Sequence, residues 1–584
     1  MQASDPAPRR FLPPLALAFG VMAAIATGLV VAIAATGSLH FPDYSAEAFF
    51  FRHQDLPMLA ADLAILAGLA LTPVALLARA GGARLSARTL VLGLAAICLV
   101  AGALGVTLVF CDYTFSLDEF LANFDAKIFA SGRVLALVPP EWRPFEPALQ
   151  PIYMLPLPDS VWASSYLPVN AALRALGQIA HLQRWVNPAL SAFSIVAAYA
   201  VGRRLWPDRP GAAVVAAALL GASSQLIVMS MTAYAMPAHL AFNLAWLWLF
   251  LRGGRLGHAG ALAVGLLATG LHQILFHPLF VAPFVLRLWF HRRWGVAILY
   301  TLAYAAICGF WVEYWQLVTP AGGVAAADSD ATGIDYFIDR LSDAFPEFHA
   351  RHIGVMAQCL ARFVAWQAPL AAPLAVIGGI WAIWTRGPAR PLALGVLLTL
   401  IAVFAATPTQ THGWGYRYLH GLLGSICLIA GWTWSRLTER LAARERTAAA
   451  GAVAVVCAVS LLVLTPVRAW QAWSYVHPFA AANAAIQGAK AEVVVVDHNS
   501  DVLFDMGTLT RNDPFLARGP KVMALGFMND DMVRQLCATH SVVVFNGQSA
   551  RDYHVALVPW RGDRGIARLR SLMRQLNCYK PMQR

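Results

Sequence analysis

The feature that most constrains this chain is a succession of apolar runs, each near the length needed to cross a bilayer. A span takes roughly 20 apolar residues, and about thirteen such runs can be placed. They are 11–36, 57–78, 89–111, 186–202, 211–229, 235–251, 257–276, 279–290, 294–314, 363–384, 391–407, 416–435 and 447–466. The fourth is short, and the eighth is short enough to be read either as re-entrant or as merged with its neighbour. Composition agrees, with 59% hydrophobic and only 13% charged residues, where a globular protein has about 25% charged. The fold class expected is therefore an all-α polytopic membrane protein of about thirteen transmembrane helices. Asp62, in the second run, is an exception to the apolar pattern. A charge in hydrocarbon is costly, so it is expected either at a water-filled crevice or snorkelling at the interface.

Arginine placement orients the runs. Arg9, Arg10, Arg79, Arg84, Arg88, Arg203, Arg204, Arg252, Arg292, Arg293, Arg386 and Arg436 fall on one side. The connections at 230–234 and 408–415 carry no base, and 315–362 has an excess of acids. Positive residues concentrate on the cytoplasmic side, which selects an inside N-terminus and an outside C-terminus. The segments 112–185, 315–362 and the tail from 467 then share the outer face. The formal charge of +12 is mostly this topology signal, and no nucleic-acid partner is expected. The first run is too long for a signal-peptide core and lacks a small-residue cleavage site, so it reads as a retained anchor.

The tail changes character. Glu492 to Asn499 begins with a continuous valine strand, and 522–526 and 541–546 repeat the form, with 527–538 helical between them. Short buried strands alternating with helices imply a small α/β domain over 467–584. Cys537 and Cys578 are its only cysteines, and on an oxidising face they are candidates for a disulfide. The tail shows no glycine-rich nucleotide-binding loop.

Chemistry-bearing residues concentrate where the chain leaves the bilayer. The stretch 112–133 follows the third run directly and holds Asp118, Glu119 and Asp125. Phe120, Phe124 and Ile128 form a helical stripe from Phe115 to Arg133. Asp118 precedes this stripe and is either a helix cap or a functional acid at the membrane rim. Prolines follow from Pro139 to Pro158, excluding a continuous helix, and 165–183 reads as an amphipathic helix lying on the membrane.

Further along, His272 and Gln273 lie near the outer boundary and are read as pocket residues or as plain interfacial ones. The i,i+5 spacing of His272 and His277 argues against a zinc pair. Glu313 ends the ninth run on the same face, and 315–362 is expected to act as a lid or in acceptor recognition. Between the eleventh and twelfth runs, His412, Tyr416, Arg417, Tyr418 and His420 crowd into a glycine-containing stretch. An unpaired Arg417 at the start of a span would be expensive. It is expected either to bind phosphate oxygens, which guanidinium does bidentately, or to pair with Asp118 or Glu313, or to snorkel.

Together the acidic pair after an early span, the Phe124-Asp125-Ala-Lys-Ile-Phe129-Ala-Ser-Gly132-Arg133 pattern with its prolines, and a many-span body with an outer tail resemble the GT-C superfamily of membrane glycosyltransferases. The likeness is to the group that includes protein O-mannosyltransferases and lipid A aminoarabinose transferases. It implies a GT-C-like core at 89–466 with outer loops 112–185 and 315–362, preceded by two added helices in 1–88. It also implies a bacterial inner-membrane protein with a periplasmic C-terminal domain. The resemblance places the catalytic acid at Asp118 with Glu119 beside it, and the donor phosphate at Arg417 with Tyr418 and His420. Asp125, His272, Gln273, Glu313, His412 and Tyr416 are the pocket it suggests.

The chemistry so implied is inverting transfer of a sugar from a polyprenyl-phosphate donor to a glycan, lipid or protein. A carboxylate within hydrogen-bond reach of the acceptor hydroxyl would take its proton. No organic cofactor is expected. A divalent cation is compatible, and if present it would fall to Asp118 and Glu119. The rival readings are an oligosaccharide ligase or polymerase using a polyprenyl-linked donor, and a transporter of lipid-linked glycans. A transporter predicts charges through the mid-membrane spans and a two-fold repeat; the spans as drawn are nearly charge-free.

Overall fold

In a lipid solvent the backbone must satisfy its own hydrogen bonds, so apolar runs of this length become helices. The computed structural model describes residues 10–40, 46–82, 86–150, 153–155, 157, 160–321, 350–406, 410, 413–497, 508–555 and 563–582. Helical segments occupy all thirteen predicted runs. Among the described residues, however, only six helices are long and apolar enough to cross a membrane alone, or up to eight if each bent pair is one span. Short helices account for part of the difference from thirteen, among them Met236–Arg252 of 17 residues and Phe276–Phe290 of 15, and breaks account for the rest. Pro210–Gly221 and Ser224–Ser230 meet at 54°, where the Ser223 hydroxyl caps the second helix by accepting from the Leu226 N–H at 3.2 Å. Ala371–Trp384 turns by 110° into Ala389–Ala405.

The last span does not stop where the apolar run does. Helical structure continues over Ala443–Gln487, 45 residues, through a π turn at Ser460–Leu464. At 1.5 Å per residue that is about 68 Å, roughly twice the hydrocarbon thickness. The first strand of the α/β domain expected over 467–584 follows this helix.

That domain is a three-stranded parallel sheet of β3 (Val493–Val496), β4 (Lys521–Ala524) and β5 (Val542–Phe545) in the order β4-β3-β5. Val493 is in register with Lys521 on one side and Val542 on the other. All four valines of the central strand are buried, as a strand covered on both faces requires. Helices Asp530–Thr539 and Arg564–Gln575 pack on it, and Cys537 and Cys578 are disulfide-bonded with Cα atoms 5.5 Å apart.

The C-terminal domain and the segment 112–185 share one core. Phe124 and Ile128, from the helix Leu117–Ala130, sit in a cluster with Trp162, Val495, Met523 and Met573. Burying such side chains stabilises by about 1.5–3 kcal/mol each. Trp162, on β2 (Val161–Trp162, paired antiparallel with β1, Ala136–Leu137), donates its indole N–H to the Pro514 carbonyl at 2.8 Å. Arg511 reaches across to the Thr114 hydroxyl at 2.7 Å and the Phe115 carbonyl at 2.8 Å. The C-terminal domain thus grips the start of the helix that carries Asp118.

Charged residues just beyond the ends of three of the apolar runs are also buried inside the bundle. One Asp55 oxygen accepts from Arg362 Nε at 3.0 Å and the other from Trp366 Nε1 at 3.1 Å, and Arg468 Nη1 lies 3.3 Å from the oxygen that Trp366 bonds. Arg468 also donates to the Ala365 carbonyl at 2.8 Å and to Gln471 at 2.9 Å. Asp62 is fully buried, at neither crevice nor interface, and both its oxygens lack a hydrogen-bond partner among the described residues.

Candidate functional site

The helix Leu117–Ala130 is started by Ser116, not by Asp118. The Ser116 hydroxyl accepts the Glu119 N–H at 3.2 Å, and one Glu119 carboxylate oxygen accepts the Ser116 N–H at 3.1 Å. This reciprocal capping box satisfies two donors at the helix end. The other Glu119 oxygen accepts the Ala233 N–H at 3.0 Å. Glu119 is 1% exposed, and burial raises its carboxyl above the ordinary range, opposed by the bonds from Ala233 and Ser116.

With the cap supplied by its neighbours, Asp118 turns to the other wall of the site. One oxygen lies 2.6 Å from Arg417 Nη1, and the other accepts the Tyr166 hydroxyl. The two side chains are 13% and 12% exposed. The pair joins positions 299 residues apart, realising the pairing with Asp118 that was one of the expectations for Arg417. Arg417 also lies over the rings of Tyr234 (5.4 Å) and Tyr418 (5.5 Å), within the range of cation–π attraction.

The segment presenting Arg417 is shaped by glycine and Gln410. The Gln410 side-chain oxygen accepts the Arg417 N–H at 2.6 Å, and its amide donates to the Gly415 carbonyl at 2.9 Å. Gly415 has φ +79°, and a Cβ there would meet the Gln225 side chain at 2.4 Å. No other residue fits that turn without displacement. Tyr416 is buried with its hydroxyl toward Met356 Sδ at 3.6 Å, and Tyr418 stacks on Phe276 at 5.8 Å. His420 is buried, its Nδ1 3.4 Å from the Gln225 amide nitrogen.

His272 stacks on Tyr166 at 4.8 Å, which brings it to the site. Buried polar atoms without a partner among the described residues gather around the ion pair: Arg417 Nε, the Tyr234 hydroxyl, both ring nitrogens of His272 and of His239, and His420 Nε2. Native structures leave few such groups, and each asks for an explanation. Met236, His239, Asn243, Arg417 and Tyr418 line a small cavity here.

The remaining predicted residues sit elsewhere. Asp125 is 2% exposed and accepts from the Ser164 N–H at 3.1 Å and from its hydroxyl, tying the helix to the segment after β2. Burial pushes its carboxyl up to about 6 against those two bonds. Gln273 is half-buried. Glu313 closes the helix Trp294–Val312 through its backbone N–H and forms no salt bridge among the described residues. His277 turns into the bundle, to Asn243 at 2.7 Å and Tyr304 at 2.8 Å. His412 and the acids of the expected lid from Asp328 to Glu347 lie outside the described residues.

Neither a protein-family model nor a curated protein matches this chain. Among solved structures it is similar to ArnT from Cupriavidus metallidurans bound to undecaprenyl phosphate, at 13% identity and a TM-score of 0.49, over 84% of this chain and 88% of that one. It is similar to the apo state of the same protein at 13% identity and a TM-score of 0.47, with the same coverage. At that identity no residue role passes from one chain to the other.

A metal at Asp118 and Glu119 does not fit the geometry. The Glu119 oxygens are taken by Ser116 and Ala233, those of Asp118 by Arg417 and Tyr166, and the two carboxylates do not converge. Among the described residues no group of three or more His, Cys, Asp or Glu could hold an ion. No step is therefore routed through one. Tyr166, Tyr234 and His239 belong to the site without having been assigned to it from sequence. The only signals were their places, just before the amphipathic helix and in the outer connector 230–239.

Proposed function

We propose that this chain is a GT-C-type membrane glycosyltransferase that moves a sugar from a polyprenyl-phosphate donor to an acceptor hydroxyl at the outer face, with inversion. The observation that carries the reading is the Asp118–Arg417 pair among buried polar atoms that have no partner among the described residues. A phosphate entering beside Arg417 finds a guanidinium, a phenol and imidazoles whose bonding is incomplete. Charge-assisted bonds of this kind are among the strongest that a protein forms with phosphate.

The ion pair also links binding to chemistry. As Arg417 shifts to the donor phosphate, one Asp118 oxygen loses its cation and becomes a better base. Asp118 takes the acceptor proton, the acceptor oxygen bonds to the anomeric carbon, and the bond from that carbon to phosphate breaks. Arg417 balances the charge left on the polyprenyl phosphate. Tyr166 keeps the carboxylate aimed through its other oxygen. On this reading the N-terminus is cytoplasmic, and the C-terminal domain lies outside, holding the acid-bearing helix in place.

Transfer and donor binding need to be measured separately on purified protein in nanodiscs. Asp118→Asn is expected to keep donor binding and lose transfer, and Arg417→Ala to weaken donor binding. Transfer at the wild-type rate in Asp118→Asn would exclude Asp118 as the base. Unchanged binding in Arg417→Ala would remove the phosphate site.

A further inference from the structure

A second cavity of about 410 Å³ lies against another face of the acid-bearing helix, within the ~300–1,000 Å³ usual for small-molecule sites. Glu119 and Asn123, one turn apart, line it, whereas Asp118 and Arg417 do not. It is therefore a compartment separate from the ion pair.

Its wall contains a buried cation. Arg174, on the helix Val169–Ile179, is 6% exposed and lines the cavity. Its Nε donates to Asn123 Oδ1 at 2.5 Å, and among the described residues no acid forms a salt bridge with it. Burial lowers its guanidinium to about 10, with Glu119 pulling the other way. Arg184 and His181 add basic groups at the exposed mouth. Two acids also line the cavity, but neither bonds the Arg174 guanidinium: the Glu119 oxygens accept backbone N–H groups, and Asp112 is exposed and accepts from Thr107 at 3.2 Å.

The surroundings of the mouth are apolar. Val106 and Phe110, at the end of the membrane-length helix Ala87–Leu108, line the cavity, and that helix exposes Leu104 (56%) and Leu108 (68%). On the other side, Leu176, Ile179, Leu182 and Trp185 are all exposed. A polar chamber with a buried guanidinium in its wall and apolar side chains at the end of a span beside it suits a molecule with an anionic head and a hydrocarbon tail.

We infer that this cavity binds the phosphate-bearing headgroup of an anionic membrane lipid, with Arg174 as its buried anchor and Arg184 at its entrance. The bound lipid braces the acid-bearing helix through Asn123 from the side away from Asp118. It is an accessory site, and the inference does not depend on which sugar or acceptor the protein uses.

Native mass spectrometry of the full chain in a neutral detergent tests this by titration with phosphatidylglycerol or phosphatidylcholine. The wild type is expected to hold one phosphatidylglycerol in about tenfold preference over phosphatidylcholine, the scale of one charge-assisted contact. Arg174→Gln is expected to abolish the preference, Arg184→Gln to reduce it, and Arg255→Gln, on a distant exposed arginine, to leave it intact. The preference should persist in Arg417→Ala, which separates this site from the ion pair. Should Arg174→Gln not fold, Arg184→Gln decides. An undiminished preference in the Arg174 and Arg184 variants, or its loss in Arg417→Ala, would overturn the proposal. Displacement of the lipid by equimolar inorganic phosphate would also overturn it, by showing a site for free anions.

Discussion

Two ion pairs in this molecule use the same residue types to opposite ends. Asp55, Arg362 and Arg468 are 2% exposed or less, and their charges meet one another, an indole and backbone carbonyls. Asp118 and Arg417 are six or more times as exposed, and seven buried polar atoms around them are without partners among the described residues. The first arrangement spends most of its hydrogen-bonding capacity on holding three distant segments together, with Arg468 Nε alone of its own nitrogens and oxygens left over among the described residues. The second keeps capacity in reserve, which is what a site that must exchange one partner for another needs. A buried charge alone does not separate the two cases. The state of the neighbouring donors does.

The comparison breaks most sharply if the rates and stabilities of matched variants fail to diverge. Asp118→Asn should cut transfer by about 10²–10⁴, the usual worth of a general base, with little change in thermal unfolding. Arg362→Ala should do the reverse. It leaves Asp55 with an incomplete set of buried partners, a loss of roughly 3–5 kcal/mol, read as a lower melting temperature or as failure to recover folded protein. Equal melting temperatures for the two variants would mean that the buried pair is not the structural one.

Asp125 sharpens the comparison next, as a buried acid with neutral partners only. Its folded carboxyl titrates at about 6 against an ordinary 3.8, a difference worth roughly 3 kcal/mol. Between those values the native state binds the proton and the unfolded state does not. The penalty for ionised Asp125 is therefore present in full above pH 6, and it is relieved as pH falls toward 4. Unfolding followed from pH 4 to 7 should show wild-type stability falling with rising pH relative to Asp125→Asn. Parallel curves would show that Asp125 does not titrate in this window.

Much of the scaffold was readable because lipid imposes a length and a composition on every span, and because a central parallel strand must be apolar on both faces. The valines of β3 and the stripe Phe120, Phe124, Ile128 announce themselves this way. The Asp118–Arg417 pairing could be named only as one option among several, since nothing local fixes a partner 299 residues away. The cluster at Asp55 was missed because Asp55, Arg362 and Arg468 each fall just outside an apolar run, where a charge looks interfacial until the fold brings three such edges together. Tyr166 was likewise a plausible interface anchor with no sequence sign of its hydrogen bond. Glu119 is different. Ser116-Leu-Asp-Glu119 has the S-x-x-E form of a capping box, and the adjacency of two acids drew attention from that spacing.

That spacing leads to the smallest and most discriminating prediction. A glutamine at position 119 keeps an oxygen for the Ser116 N–H or the Ala233 N–H, and capping boxes accept Gln in place of Glu. Glu119→Gln should therefore cost about 1 kcal/mol or less and leave transfer within a few-fold of wild type. If Glu119 instead shared the proton transfer with Asp118, or moved to hold a cation during turnover, the amide would lose activity on the scale of Asp118→Asn. Measured side by side, the two amide variants ask whether neighbouring carboxylates on one helical turn act as a pair. On the proposed reading they do not: one is fixed by the backbone it caps, and the other is held by a cation that the donor phosphate would draw away.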